Sequence, residues 1–159
     1  MMNNQLHTAC QKGKVKLVKE LLNDENIKTS INVRAGVFGY TPLHEATSSG
    51  KAEIIELLLE CGANVDAKSN GRYTSLHIAA TIGDLRCIEA LLKNNADVLL
   101  TDEFEKTPHK TAELNRQRQA ARLLKTAGNI TSSFFYYSFL LIILILHIVC
   151  IYEKKAGLL

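Results

Sequence analysis

Five histidines and four cysteines are the side chains of this 159-residue sequence best suited to chemistry. An imidazole near neutral pH can serve as a general base or bind a metal, but either role needs companions at a defined spacing. His44 and His77 have none that would complete a triad. Cys10, Cys61, Cys87 and Cys150 are separated by 51, 26 and 63 residues, and no pair has zinc-ligand spacing. Cys87 falls within the apolar stripe of a second helix and Cys10 within a first helix, where a thiol acts as a small buried hydrophobe. The sequence has no glycine-rich phosphate loop, no Gly-x-Ser-x-Gly and no His-Glu-x-x-His, so the motif-bearing enzyme classes are excluded and no cofactor or metal is expected. A net charge of +3, without interleaved basic and aromatic residues, gives no reason to expect a nucleic acid partner.

What His44 and His77 do have is the same setting, 33 residues apart. Thr41-Pro42-Leu43-His44 becomes Thr74-Ser75-Leu76-His77 and then Thr107-Pro108-His109-Lys110. Ala46 maps to Ala79 and Ala112, and Leu58 maps to Leu91 and Leu124. Backward the offset is 37, pairing Leu43-His44 with Leu6-His7 and Gly50 with Gly13, so four extra residues lie in the first connection. The elements positioning the histidines follow from this pattern. Thr41 and Thr74 can cap a first helix, and Pro42 suits its first turn. Gly50 breaks the chain before a second helix. That helix carries Ile54, Ile55, Leu57 and Leu58, or Cys87, Ile88, Leu91 and Leu92, at helical spacing. Because Lys110 replaces the histidine in the last copy, a chemical role for this position is disfavoured. In that copy Arg116 also replaces the turn glycine.

A 33-residue period bearing Thr-Pro-Leu-His-x-Ala resembles the ankyrin repeat family, over roughly residues 5–128. The resemblance implies an all-α fold: an ankyrin-type helix-turn-helix solenoid of four repeats, at about 3–32, 39–71, 72–104 and 105–128. The two central repeats match closely, and the outer two are altered, as array ends that meet water are. The repeat histidine would tie adjacent loops by hydrogen bonds. Such stacks resemble a cupped hand and bind other proteins through loop tips and the open side of the first helices. By position, the partner-binding candidates are Phe38, Tyr40, Arg72, Tyr73, Phe104 and Lys106 on the loops, with Glu45, Ser48 and Thr81 on the first helices. The alternative for Tyr40 and Tyr73 is that they merely cover the adjacent loop. The resemblance therefore points to a non-catalytic interaction scaffold or adaptor. The alternative is a soluble regulatory or inhibitory subunit of an enzyme or transcription factor.

Residues 134–152 contain no Asp, Glu, Lys or Arg, whereas residues 1–133 hold 17 of 19 Lys/Arg and 15 of 16 Asp/Glu. Nineteen helical residues reach about 28 Å, close to a bilayer core of about 30 Å. Phe134 to Tyr137 and Tyr152 would stand at the two interfaces. The expected organisation is a repeat domain over 1–128, a linker at 129–133, a C-terminal transmembrane helix at 134–152 and a short tail at 153–159. The N-terminus has no signal-peptide pattern, and an anchor this close to the end reads as tail-anchored. Arg116, Arg118, Arg122 and Lys125 on its N-terminal side place the repeats in the cytosol by the positive-inside tendency. The alternatives are a buried helix or a non-native spliced end on a cytoplasmic soluble protein.

Overall fold

A computed structural model of the chain describes residues 5–129. Its contacts divide the chain into two units, Met1–Lys125 and Thr126–Leu159. The first unit is a series of helix pairs. α1 (Gln5–Gln11) pairs with α2 (Val15–Leu21), α4 (Pro42–Ser48) with α5 (Ala52–Glu60), and α6 (Ser75–Ile82) with α7 (Leu85–Lys93). α8 (Pro108–Leu114) is followed by helical residues from 118 onward. First helices stack on first helices, α1 on α4 on α6 on α8, and second helices on second helices, α2 on α5 on α7. Among the described residues the fold is all-helical, in four repeats, as the sequence periodicity predicts.

The repeated apolar positions make the core. Leu43 and Ala46 are buried with their equivalents Leu76 and Ala79, and Ile54, Ile55 and Leu58 with Cys87, Ile88 and Leu91. Each side chain of this size contributes about 1.5–3 kcal/mol on burial, while fixing each residue's backbone costs about 1–2 kcal/mol. One pair of seven- to nine-residue helices cannot offset that cost. Only stacking closes both sides of a repeat.

The turn inside each repeat requires a left-handed residue. Gly13, Gly50 and Gly83 have φ of 62°, 67° and 80°, and Arg116, which replaces the glycine in the last repeat, is forced to 59°. A second such position lies in the connecting loops, where Gly39, Arg72 and Glu105 have φ of 64°, 59° and 58°. A Cβ at Gly39 would also stand 2.5 Å from the Asn70 side-chain oxygen of the next loop, so that side chain would have to move aside.

The connection between repeats one and two, which holds the four extra residues, contains a helical turn, α3 (Glu25–Lys28). The Asp24 side chain accepts from the Asn26 N–H at 2.9 Å, and Ile27 and Ile31 are buried beneath the turn. Residues 118–125 of the first unit are helical, and so are the described residues 126–129 of the second. No helix among the described residues is long and apolar enough to cross a membrane. The expected span at 134–152, most of the linker and the tail lie outside the described residues.

Candidate functional site

Each central histidine is built into a box with the threonine three residues before it. The Thr41 N–H donates to His44 Nδ1 at 3.2 Å, and Thr41 Oγ1 lies 2.8 Å from the same nitrogen. Nδ1 is thus an acceptor and the ring proton sits on Nε2, which donates to the Tyr73 carbonyl of the next repeat at 3.0 Å. His77 repeats this with Thr74, at 3.3 and 2.9 Å, and donates to the Lys106 carbonyl at 2.9 Å. Where a capping box ordinarily uses Glu or Gln, imidazole does the work here. In repeat one, His7 Nε2 lies 3.0 Å from the Val33 carbonyl and 3.1 Å from that of Tyr40.

Both central imidazoles are fully buried, and burial lowers their pKa more than the carbonyl hydrogen bonds raise it. They are neutral, with both ring nitrogens engaged, so neither is available to take a proton from a substrate. The Cys10 and Cys87 thiols are pushed up to about 12, mainly by burial. A thiol so shifted is inert as a nucleophile at neutral pH.

The open chemistry lies along the first helices. A cleft of about 460 Å³ runs over repeats two to four, and its lining repeats every 33 residues. Tyr40, Tyr73 and Lys106 form one row, Ser48, Thr81 and Leu114 a second, and Ile78 and Thr111 stand between them, with Ile82 and Asn115 beside. Ile82 and Leu114 are 46% and 55% exposed, a large apolar surface for single positions on a water-facing wall. Five of the nine residues predicted from sequence, Tyr40, Ser48, Tyr73, Thr81 and Lys106, therefore meet in one groove.

The other four are placed differently. Phe38, Arg72 and Phe104 are exposed at the loop tips and do not themselves line the groove, although the Phe38 ring lies 5.5 Å from that of the groove residue Tyr40. The tips are fixed rather than loose: the Asn70 N–H donates to the Phe38 carbonyl at 2.9 Å and the Glu103 N–H to the Gly71 carbonyl at 3.1 Å. Lys106 Nζ stands 5.3 Å from the Phe104 ring centre, a cation–π contact that presents the ring. Glu45 is half-buried, its carboxyl pKa raised by that burial, and it lines none of the groove. Tyr40 stacks on His44 with ring centres 5.2 Å apart, and Tyr73 meets His77 edge-on at 5.7 Å. Both tyrosines thus cover the histidine box and wall the groove at once. Leu114 and Thr111 were missed, because the fourth repeat reads as a polar cap. One more step of 33 from Thr81 and Ile78 points directly at them.

These features define a stacked helix-turn-helix repeat array with an open groove and no exposed catalytic group in its histidine boxes. Comparison with known proteins gives the array its name. A family described as ankyrin repeats in three copies matches residues 3–69, and one described as ankyrin repeats in many copies matches residues 58–112. The chain is an ankyrin repeat protein, and ankyrin repeats are protein–protein interaction modules that are generally non-catalytic.

Similar stretches occur in much longer proteins. A tyrosine-protein kinase, HTK16, of Hydra vulgaris is 40% identical over 72 residues, which are 45% of this chain and 9% of the kinase. An ankyrin repeat protein of Rickettsia bellii is 39% identical over 56 residues, 35% of this chain and 8% of that protein. The tRNA endonuclease ANKZF1 of Mus musculus is 36% identical over 63 residues, 37% of this chain and 8% of the endonuclease. The chain spans less than a tenth of the length of each of these relatives.

Proposed function

We propose that this chain is a non-catalytic scaffold that holds a partner protein in the groove of its first helices, with Phe38, Arg72 and Phe104 as a rim, and that residues 134–152 tether it to a membrane. The observation that carries the binding reading is the alignment of equivalent positions, 40/73/106 and 48/81/114, along one cleft across three successive repeats. A periodic groove of this kind suits an extended or helical segment that runs across the repeats. Its half-exposed aromatic and aliphatic walls are what interface anchors require. The uncharged run at 134–152, long enough to cross a bilayer, supports the tether, with the repeats on the cytosolic side.

Tyr73 is a poor position for testing this, because it also packs on His77. Ile82→Glu with Leu114→Glu keeps the histidine boxes intact. This pair is expected to weaken partner capture at least tenfold, since removing one anchor residue typically costs more than about 1 kcal/mol, while the thermal midpoint stays near wild type. Unchanged capture would exclude the groove. The tether is tested by carbonate extraction of membranes from cells expressing the full chain or a version ending at Ser133. Retention of the full chain alone is expected, and extraction of both would remove the membrane from the reading.

A further inference from the structure

Repeat one has an outer side that no helix pair covers among the described residues. There α1 contributes Ala9 and Lys12 to a cleft of about 420 Å³, and α2 contributes Leu17 and Leu21, with Lys14 at its start. Leu17 is 39% exposed and Leu21 is half-buried. One step of 37 takes the two leucines to Ile54 and Leu58, and a further step of 33 takes them to Cys87 and Leu91; all four of these are fully buried. What differs is the neighbour. α5 follows α2 in the stack and α7 follows α5, whereas among the described residues nothing precedes α2. An end repeat ordinarily turns a polar face to water. This one keeps the apolar positions of an inner repeat and surrounds them with lysines. Lys12 and Lys14 are exposed, and among the described residues neither is in an ion pair. Glu20, the only acid within α1 and α2, does not line the cleft. At the next joint Lys19 meets Glu53 at 2.8 Å, so an ion pair between neighbouring second helices already occurs in the stack.

From the uncovered leucines and their lysine rim we propose that this end of the stack docks an amphipathic helix of a partner protein, with aliphatic residues on Leu17 and Leu21 and acidic residues beside Lys12 and Lys14. Helices are what the inner repeats receive at the equivalent place, since α1 lies on α4 and α2 on α5. A helix laid in such a cleft presents its apolar face at i, i+3, i+4 and i+7 and leaves its flanks for the rim. The lysines select the sign of those flanks. A second copy offering this same end would set Lys12 and Lys14 against their own equivalents, and like charges across an interface are costly. The site is separate from the first-helix groove and stands whether or not that groove binds.

The probe is a fluorescent, lactam-bridged helix of about 18 residues, long enough to hold its fold, with a leucine stripe flanked by glutamates. Its control has lysines in place of the glutamates. Both are titrated by anisotropy against the full chain in phosphatidylcholine nanodiscs, with empty nanodiscs as the blank. The glutamate helix is expected to bind at least fivefold tighter than the lysine helix, a preference that shrinks in high salt. K12E/K14E should reverse the preference. L17E should weaken the glutamate helix at least tenfold with an unchanged thermal midpoint, and I82E/L114E should leave its binding unchanged, which locates the site outside the groove. No binding, equal binding of the two helices, a preference that survives K12E/K14E, binding retained in L17E or binding lost in I82E/L114E would each overturn the proposal. So would two other results: binding that appears only after residues 1–4 are removed, which assigns the cleft to the chain's own start, or self-association abolished by L17E, which assigns it to a second copy.

Discussion

Repeats two and three share one design with repeat four, but the histidine at the heart of the central pair is a lysine in the last. In repeats two and three the imidazole points forward, donating to a carbonyl of the loop in the next repeat. At the equivalent place Lys110 is exposed and pairs within its own helix with Glu113, while Thr107 still caps the helix alone by accepting from the Lys110 N–H at 3.3 Å. The comparison separates two roles that the Thr-x-x-His pattern combines. The threonine serves its own helix, and the histidine serves the next repeat. In the last of the described repeats the threonine is retained and the histidine is not. A residue that looks chemical in sequence is therefore a directional fastener between repeats.

The largest expected break is in the core of a central repeat. Leu58→Ala empties a fully buried site and should cost about 2–5 kcal/mol in urea unfolding. A loss below about 1 kcal/mol would mean that the second helices do not bear the stacking. Next comes the fastener itself. His77→Ala leaves the Thr74 N–H and the Lys106 carbonyl without their partner and should cost about 1–3 kcal/mol, whereas Lys110→Ala should stay within about 0.5 kcal/mol. Equal costs would collapse the distinction between central and terminal repeats.

Acid sharpens the same contrast. His44 and His77 have pKa values below the ordinary 6.5 in the folded state. The unfolded chain therefore binds protons first as pH falls, and stability that is complete above about pH 7.5 declines from about 6.5 toward the folded-state values. Unfolding curves from pH 8 to 5 should show that decline, and removing His77 should flatten it. A decline of unchanged slope without His77 would place the acid sensitivity elsewhere.

The smallest expected changes are gains. Ser75 stands where Pro42 and Pro108 stand in neighbouring repeats, fully buried with its hydroxyl unpartnered, so Ser75→Pro should add about 0.4–1 kcal/mol. Arg116→Gly should add about 1 kcal/mol by relieving a left-handed arginine. A destabilised Arg116→Gly protein would show that the turn in repeat four differs from the others.

The helix pairs and the buried leucines were legible because a tiled fold writes each requirement several times, whereas the tie made by the histidines was implied by the family resemblance. Arg116 and Gly50 could be recognised as one structural position only through the period, since arginine alone suggests no turn. Tyr73 and Thr81 were assigned to the open face by the family resemblance, and both line the cleft. Leu114 was not, because the surrounding Arg116, Gln117 and Arg118 mark a solvated cap and obscure the groove residue among them. Single-copy features were the least legible. α3 fills an insertion that has no equivalent elsewhere in the chain, and its only local signal is the Asp24 cap beside Ile27. The half-burial of Glu45 depends on packing that its spacing alone does not reveal.

The central claim is that the groove, and not the second-helix face, receives a protein. Its most direct measurement is a positional photo-crosslinking map in cells, with a photoreactive residue placed at Thr81 or Leu114 in the groove, at Phe38 or Phe104 on the tips, and at Glu89 on the second-helix face. Adducts of one discrete mass from Thr81 and Leu114, with none from Glu89, are the predicted result. Adducts from Glu89 with none from the groove positions would contradict it.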